Sequence, residues 1–102
     1  MKLDFTDAAR SDLRSIRAYT LERWGEDQER VYLDALWAKF ETIAYDPSIW
    51  KFRHDLFPEC QIATEGKHVI LFCIQDDVLQ IVRVLHSAMD FRRHVPPRLE
   101  DC

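Results

Sequence analysis

Two helical patterns separated by a single glycine constrain this chain more than any other feature. Ala9, Leu13, Ile16 and Thr20, flanked by Tyr19 and Trp24, recur at helical spacing and lay an apolar stripe along residues 7–24. Tyr32, Leu36, Phe40 and Ile43 repeat the pattern, and Leu33, Trp37 and Ala44 widen its face. Gly25 lies just past the last periodic residue of the first helix, where a left-handed cap costs glycine little. Thr6 is a good N-cap with Asp7 in the first turn, and Glu26 and Asp27 sit at the positive end of the second helix. Pro47 halts that helix, because the residue before a proline is pushed out of the helical region. Helices of about 18 and 20 residues joined this tightly must fold back as an antiparallel hairpin.

The remaining patterns are those of strands. Leu3 to Phe5 reads as a short first strand, and residues 47–56, with Pro47, Trp50 and Phe52, as an irregular connection that packs. Phe57 to Thr64 is interrupted by Pro58, which suits an edge or a strand start. Lys67 to Ile74 and Val78 to Ser87 carry stronger strand signals, with Asp76-Asp77 as the tight turn between them and Gly66 ahead of them. The expected architecture is α+β in two layers: an N-terminal strand and a helical hairpin packed on a mainly antiparallel sheet. A short C-terminal helix is expected from about Phe91, stopped by Pro96-Pro97. Residues 1–98 form one domain in this reading, and residues 99–102 fray.

Composition narrows the function classes. A chain of 102 residues has room for one core. Its net charge of −4 argues against affinity gained chiefly by neutralising phosphates, so sequence-specific nucleic-acid binding is not expected. Cys60, Cys73 and Cys102 give an odd count without CxxC spacing, so neither a disulfide framework nor a secreted protein is expected. The longest apolar run, Val69 to Ile74, is far below the ~20 residues that cross a bilayer, and Met1-Lys2-Leu3-Asp4 does not read as a signal peptide. A cytoplasmic protein that does not engage membranes is expected.

Few residues suggest chemistry. Without a bulge, Leu79, Ile81, Arg83 and Leu85 share one face of the last strand, while Val82, Val84 and His86 share the other. Arg83 and His86 would then point apart and make a poor catalytic pair. Arg83, among apolar neighbours, reads either as satisfied by a carboxylate or carbonyls or as functional. His86, beside Met89 and Asp90, reads equally as a surface contact or a turn anchor, and His68 as a polar residue at a strand end. No metal-ligand spacing, no nucleophile motif and no glycine-rich phosphate loop is present, so no catalytic residue, metal or cofactor is expected. Arg92-Arg93-His94, with Arg98 nearby, forms a local cationic cluster that could dock acidic groups or phosphates.

Several motifs occur together in a recognisable order. They are Ala9-x-x-Asp12-Leu13-x-x-Ile16-x-x-Tyr19, Arg23-Trp24-Gly25, Tyr32-Leu33 through Leu36 to Ile43, and Asp46-Pro47. Lys67-His68-Val69-Ile70, Arg83-Val84-Leu85-His86, Met89-Asp90 and His94 complete the series. In this order and spacing the chain resembles the ParE toxins of the RelE/ParE superfamily, partners in type II toxin–antitoxin pairs. The resemblance implies a toxin that stalls DNA gyrase with cleaved DNA and is neutralised by a ParD-like antitoxin. That antitoxin would lay an amphipathic helix and an extended arm on the hairpin, with Leu13, Ile16, Tyr19, Trp24 and Trp37 as candidate contacts. Arg83, His86, Met89, Asp90, Arg92, Arg93 and His94 are the candidate target contacts.

RelE-type relatives are ribosome-dependent endoribonucleases, which makes nuclease activity, drawing on His68, His86 and Arg83, the runner-up. Two departures weigh against it. Where superfamily members carry arginine in a P-x-x-R strand motif, and again after the aromatic of the next strand, this chain has Gln61 and Cys73. These departures also leave open a toxin of reduced potency or changed target. A non-toxic interaction module is the remaining alternative.

Overall fold

The computed structural model describes residues 1–95, so the expectations for Pro96-Pro97, Arg98 and the frayed end at 99–102 lie outside the described residues. The chain runs as β1 (Lys2–Phe5), α1 (Asp7–Trp24), α2 (Glu26–Tyr45), a 3-10 turn (Pro47–Ile49), β2 (Lys51–Phe52), β3 (Gln61–Glu65), β4 (His68–Gln75), β5 (Val78–His86) and a second 3-10 turn (Phe91–Arg93). The sheet order is β1-β5-β4-β3-β2, with β1 parallel to β5 and every other pairing antiparallel. The helical hairpin covers one face, as expected. No helix among the described residues is long and apolar enough to cross a membrane.

Local chemistry accounts for the helix ends. The Thr6 hydroxyl accepts the Ala9 N–H at 3.0 Å and donates to the Val82 carbonyl at 2.7 Å, so one side chain both starts α1 and ties it to β5. Gly25 serves both helices. Its N–H donates to the Leu21 carbonyl, its own carbonyl accepts from Glu29, and its φ of 92° and ψ of 175° lie in a region open essentially to glycine alone. That is an extended backbone with positive φ, not the left-handed helical cap expected from sequence.

Three strand expectations need correction. Pro58 delays β3 until Gln61, after the turn at Phe57–Cys60, and the short β2 was not anticipated. The C-terminal helix is a single 3-10 turn. Phe91 and Val95 pack onto the sheet face away from the helices, and this anchoring draws the chain back before a helix can propagate. In β5 the register changes from Phe72↔Ile81 to Leu71↔Arg83, leaving Val82 as the extra residue of a β-bulge. Leu79, Ile81 and Val84 consequently join the helix-side core, while Val82 and Leu85 join the outer cluster. The four residues expected on one face are therefore split between two.

Both faces of β4 are covered. Ile70 and Phe72 meet Leu36, Phe40 and Ile43 of α2 within the helix-side core, and Val69, Leu71 and Cys73 lie under Leu56, Phe57 and Cys60 on the outer side. This double burial explains the unbroken apolar run. Cys60 is a buried free thiol. Cys73, also buried, is disulfide-bonded, where no disulfide framework was expected.

One carboxylate joins the two layers near their edge. Asp12 of α1 accepts from Arg83 Nε and Nη2, each at 2.7 Å, and from the Val84 N–H at 2.9 Å. Arg83 also donates to the His94 carbonyl at 2.6 Å. The side chains of this pair are 20% and 13% exposed for Arg83 and Asp12, so removing one partner strands a charge in a half-dry setting. Asp12→Ala is expected to cost about 2–3 kcal/mol in chemical denaturation, and Asp12→Ala combined with Arg83→Met to recover most of that loss. Additive losses in the double variant would show that the pair does not act as a unit.

Candidate functional site

Strand β1 ends at Phe5, so β5 beyond Ile81 has no strand neighbour on that side, and α1 crosses the gap. A cleft of about 910 Å³ opens between α1, the start of α2 and the ends of β4 and β5. Its wall from α1 carries Ile16, Tyr19, Thr20 and Trp24, and facing residues include Val84, Leu85, His86 and Met89. Ile16 and Thr20 are buried, whereas Tyr19 and Trp24 stand 61% and 66% exposed at the rim. Large aromatic side chains left this open are the kind of surface that partners cover.

The floor of the cleft is polar. Tyr32 Oη lies 2.9 Å from the Glu65 carbonyl and 2.5 Å from His68 Nδ1. A carbonyl can only accept, so the single hydroxyl proton goes to Glu65, and His68 Nδ1 must be the donor to Tyr32. His86 Nδ1 accepts the Ala88 N–H at 3.1 Å, which places the proton of a neutral His86 on Nε2. The two rings are cross-strand neighbours packed edge to face, their centroids 5.7 Å apart. Burial, reinforced by the neighbouring His86, pushes the His68 pKa below the ordinary histidine value, and Asp12 opposes the shift. Burial also raises the Tyr32 pKa, helped by the charge of Glu65. Gly66, at φ 57°, leaves room for this arrangement, since a Cβ there would lie 2.9 Å from Tyr32 Cε1.

The residues singled out from sequence fall into separate places. Ile16, Tyr19, Trp24, His86 and Met89 meet in the cleft. Leu13 packs against the helix-side core, and Trp37 stacks on Phe5 at 5.9 Å, outside the cleft. Arg83 turns to Asp12 and the His94 carbonyl. Asp90 caps the last 3-10 turn through the Arg92 N–H, Arg92 reaches Asp55 at 3.1 Å, and Arg93 stays highly exposed beside Asp90. Asp55 also takes two 2.8 Å bonds from Arg53, and this pairing holds its carboxyl well below the usual carboxylate range. The cationic segment thus sits with the outer cluster, whereas His86 and Met89 face the hairpin. The sequence reading missed Tyr32 as a site residue, placing it only in the apolar stripe and the helix motif, and named His68 with His86 only for the nuclease alternative, without the cross-strand pairing seen here. A polar-tipped tyrosine within an otherwise apolar helical stripe was the signal available.

Comparison with known proteins agrees with this geometry. Residues 3–91 match the family described as ParE toxin of type II toxin–antitoxin system, parDE. The chain is 33% identical to Toxin ParE1 of Caulobacter vibrioides, over 85% of this chain and 90% of that protein. It is 31% identical to Toxin ParE of Escherichia coli, over 93% of each. Among solved structures, a chain from the chromosomal ParDE system of P. aeruginosa superposes with a TM-score of 0.73 at 17% identity, covering 84% of this chain and 95% of its own. A chain of the RelBE2 toxin–antitoxin complex of Mycobacterium tuberculosis superposes with a TM-score of 0.54 at 25% identity, covering 83% and 95%. With a family match across most of its length and relatives above 30% identity, the chain belongs to the ParE toxins of type II toxin–antitoxin systems.

Proposed function

We propose that this toxin acts by binding DNA gyrase and stabilising its cleaved-DNA state, and that a ParD-like antitoxin neutralises it by docking in the cleft. The state of the cations carries the non-nucleolytic part of this reading. Cleaving an RNA phosphodiester calls for positive charge at the phosphorus centre. Arg83 is committed to Asp12 and the His94 carbonyl. Gln61 is 4% exposed and donates to the Pro47 and Trp50 carbonyls, and Cys73 is fully buried, so neither position presents a side chain to a substrate. Lys67 is the only lysine or arginine among the described residues lining the cleft. A toxin of net charge −4 suits a protein target better than a phosphate-rich one.

In this proposal the antitoxin covers Ile16, Tyr19, Trp24, His86 and Met89, and the target meets Asp90, Arg92, Arg93 and His94. Arg83 acts as a positioning residue by holding the His94 carbonyl. Leu13 contributes through the core, and Trp37 lies outside both surfaces.

The Tyr32–His68–His86 cluster favours one competing reading, a nuclease using neutral histidines as acid and base. A gyrase supercoiling assay run beside a translation-coupled mRNA cleavage assay separates the two. Loss of supercoiling with accumulation of cleaved DNA is expected. Codon-specific cuts with gyrase untouched would replace the proposal by the nuclease. Arg92→Ala with Arg93→Ala is expected to relieve both growth arrest and gyrase inhibition, because the pair is exposed and its removal leaves the core intact; unchanged toxicity would take the segment out of the target surface. Trp24→Ala is expected to weaken the antitoxin recovered by co-expressing the neighbouring reading frame by about tenfold or more in calorimetry, with Trp37→Ala without effect. The reverse ranking would move the docking surface to the other side of the hairpin.

A further inference from the structure

Each histidine at the floor of the cleft has one nitrogen satisfied from within the protein. His68 Nδ1 is engaged by Tyr32, and His86 Nδ1 by the Ala88 N–H. The hydrogen-bond roles leave Nε2 of His68 as an acceptor and Nε2 of His86 as a donor, on cross-strand neighbours whose rings are 5.7 Å apart. We propose that this pair anchors one tyrosine side chain of the docked antitoxin segment. Its hydroxyl donates to His68 and accepts from His86, and its ring lies among Ile16, Tyr19, Trp24 and Met89. The proposal rests on the reading of the cleft as the antitoxin surface.

The chemistry selects this occupant. Ile16, Tyr19, Trp24, Val84, Leu85 and Met89 give the cleft apolar walls beside the histidine floor, so it fits a side chain with an apolar body and a polar tip. A purely aliphatic or phenyl side chain would strip water from both nitrogens and return no hydrogen bond. An ionised carboxylate needs a donor from each histidine, while the His68 nitrogen can only accept. A lysine or arginine has no acceptor to offer His86.

The test uses the intact toxin with p-cresol, toluene and 4-methylbenzoate as probes at pH 7.5, followed through the histidine ring nitrogens by NMR. The free protein is expected to show the proton on Nδ1 of His68 and on Nε2 of His86. p-Cresol is expected to shift both Nε2 resonances and to bind about fivefold more tightly than toluene or 4-methylbenzoate, the worth of about one net hydrogen bond. His86→Phe should abolish the preference over toluene while keeping the cleft apolar. Equal binding of p-cresol and toluene would overturn the anchor but leave the cleft as a docking surface. Tightest binding by 4-methylbenzoate would overturn it in favour of an acidic anchor. If none of the three binds, the cleft is no apolar receptor, and the docking reading falls with the anchor.

Discussion

The carboxylate of Asp12 is the contact on which the arrangement of this toxin depends. A sheet edge left open beyond β1 exposes backbone donors and acceptors that must be satisfied. Thr6 takes the Val82 carbonyl, and Asp12 takes the next edge amide, that of Val84, while gripping the Arg83 guanidinium with both oxygens. A charge-assisted, two-pronged bond of this kind fixes direction as well as distance. It ties α1 to β5 at the wall of the cleft. Through the third donor of Arg83 it also fixes the His94 carbonyl, and with it the end of the cationic segment.

A single pair thus reaches both surfaces assigned to partners. On the helix side it forms part of the cleft wall, since Asp12 lies beside Ser15, Ile16 and Val84. On the other side, Phe91 and Val95 bind the segment that carries Arg92 and Arg93 to the outer cluster. An arginine spent in this way cannot stabilise a phosphorus centre, which is why the same contact bears on the choice between binding and bond-breaking. Gln61 tells the same story on the far edge, where its amide holds the Pro47–Trp50 connection in place.

Much of the fold was legible because it rests on local rules. Helical spacing, the Thr6 cap, Gly25 and Pro47 bounded both helices at the ends observed, and Asp76-Asp77, both at positive φ, made the predicted tight turn. The short C-terminal helix failed because anchoring by Phe91 and Val95 is a long-range effect with no periodicity to betray it. The face assignment in β5 failed for a related reason, since a bulge is a relation between two strands and leaves no mark on one. Before the bulge the turn pairs Gln75 with Val78, and that register would set His68 opposite Leu85. The extra residue at Val82 moves the pairing on by one, so that His68 meets His86.

The sequence by itself determined the two helices, the long strands, their order and the family, because periodicity, caps and turn residues act over a few positions and the motif series spans most of the chain. Only the tertiary structure decided which residues share a site. It drew Tyr32 and the two histidines to one floor, packed Leu13 against the core, placed Trp37 against Phe5 and turned Arg83 to Asp12. The reason is physical: a side chain's partners are set by register, by bulges and by where a helix crosses a sheet, and each of these is a relation between segments far apart in the chain.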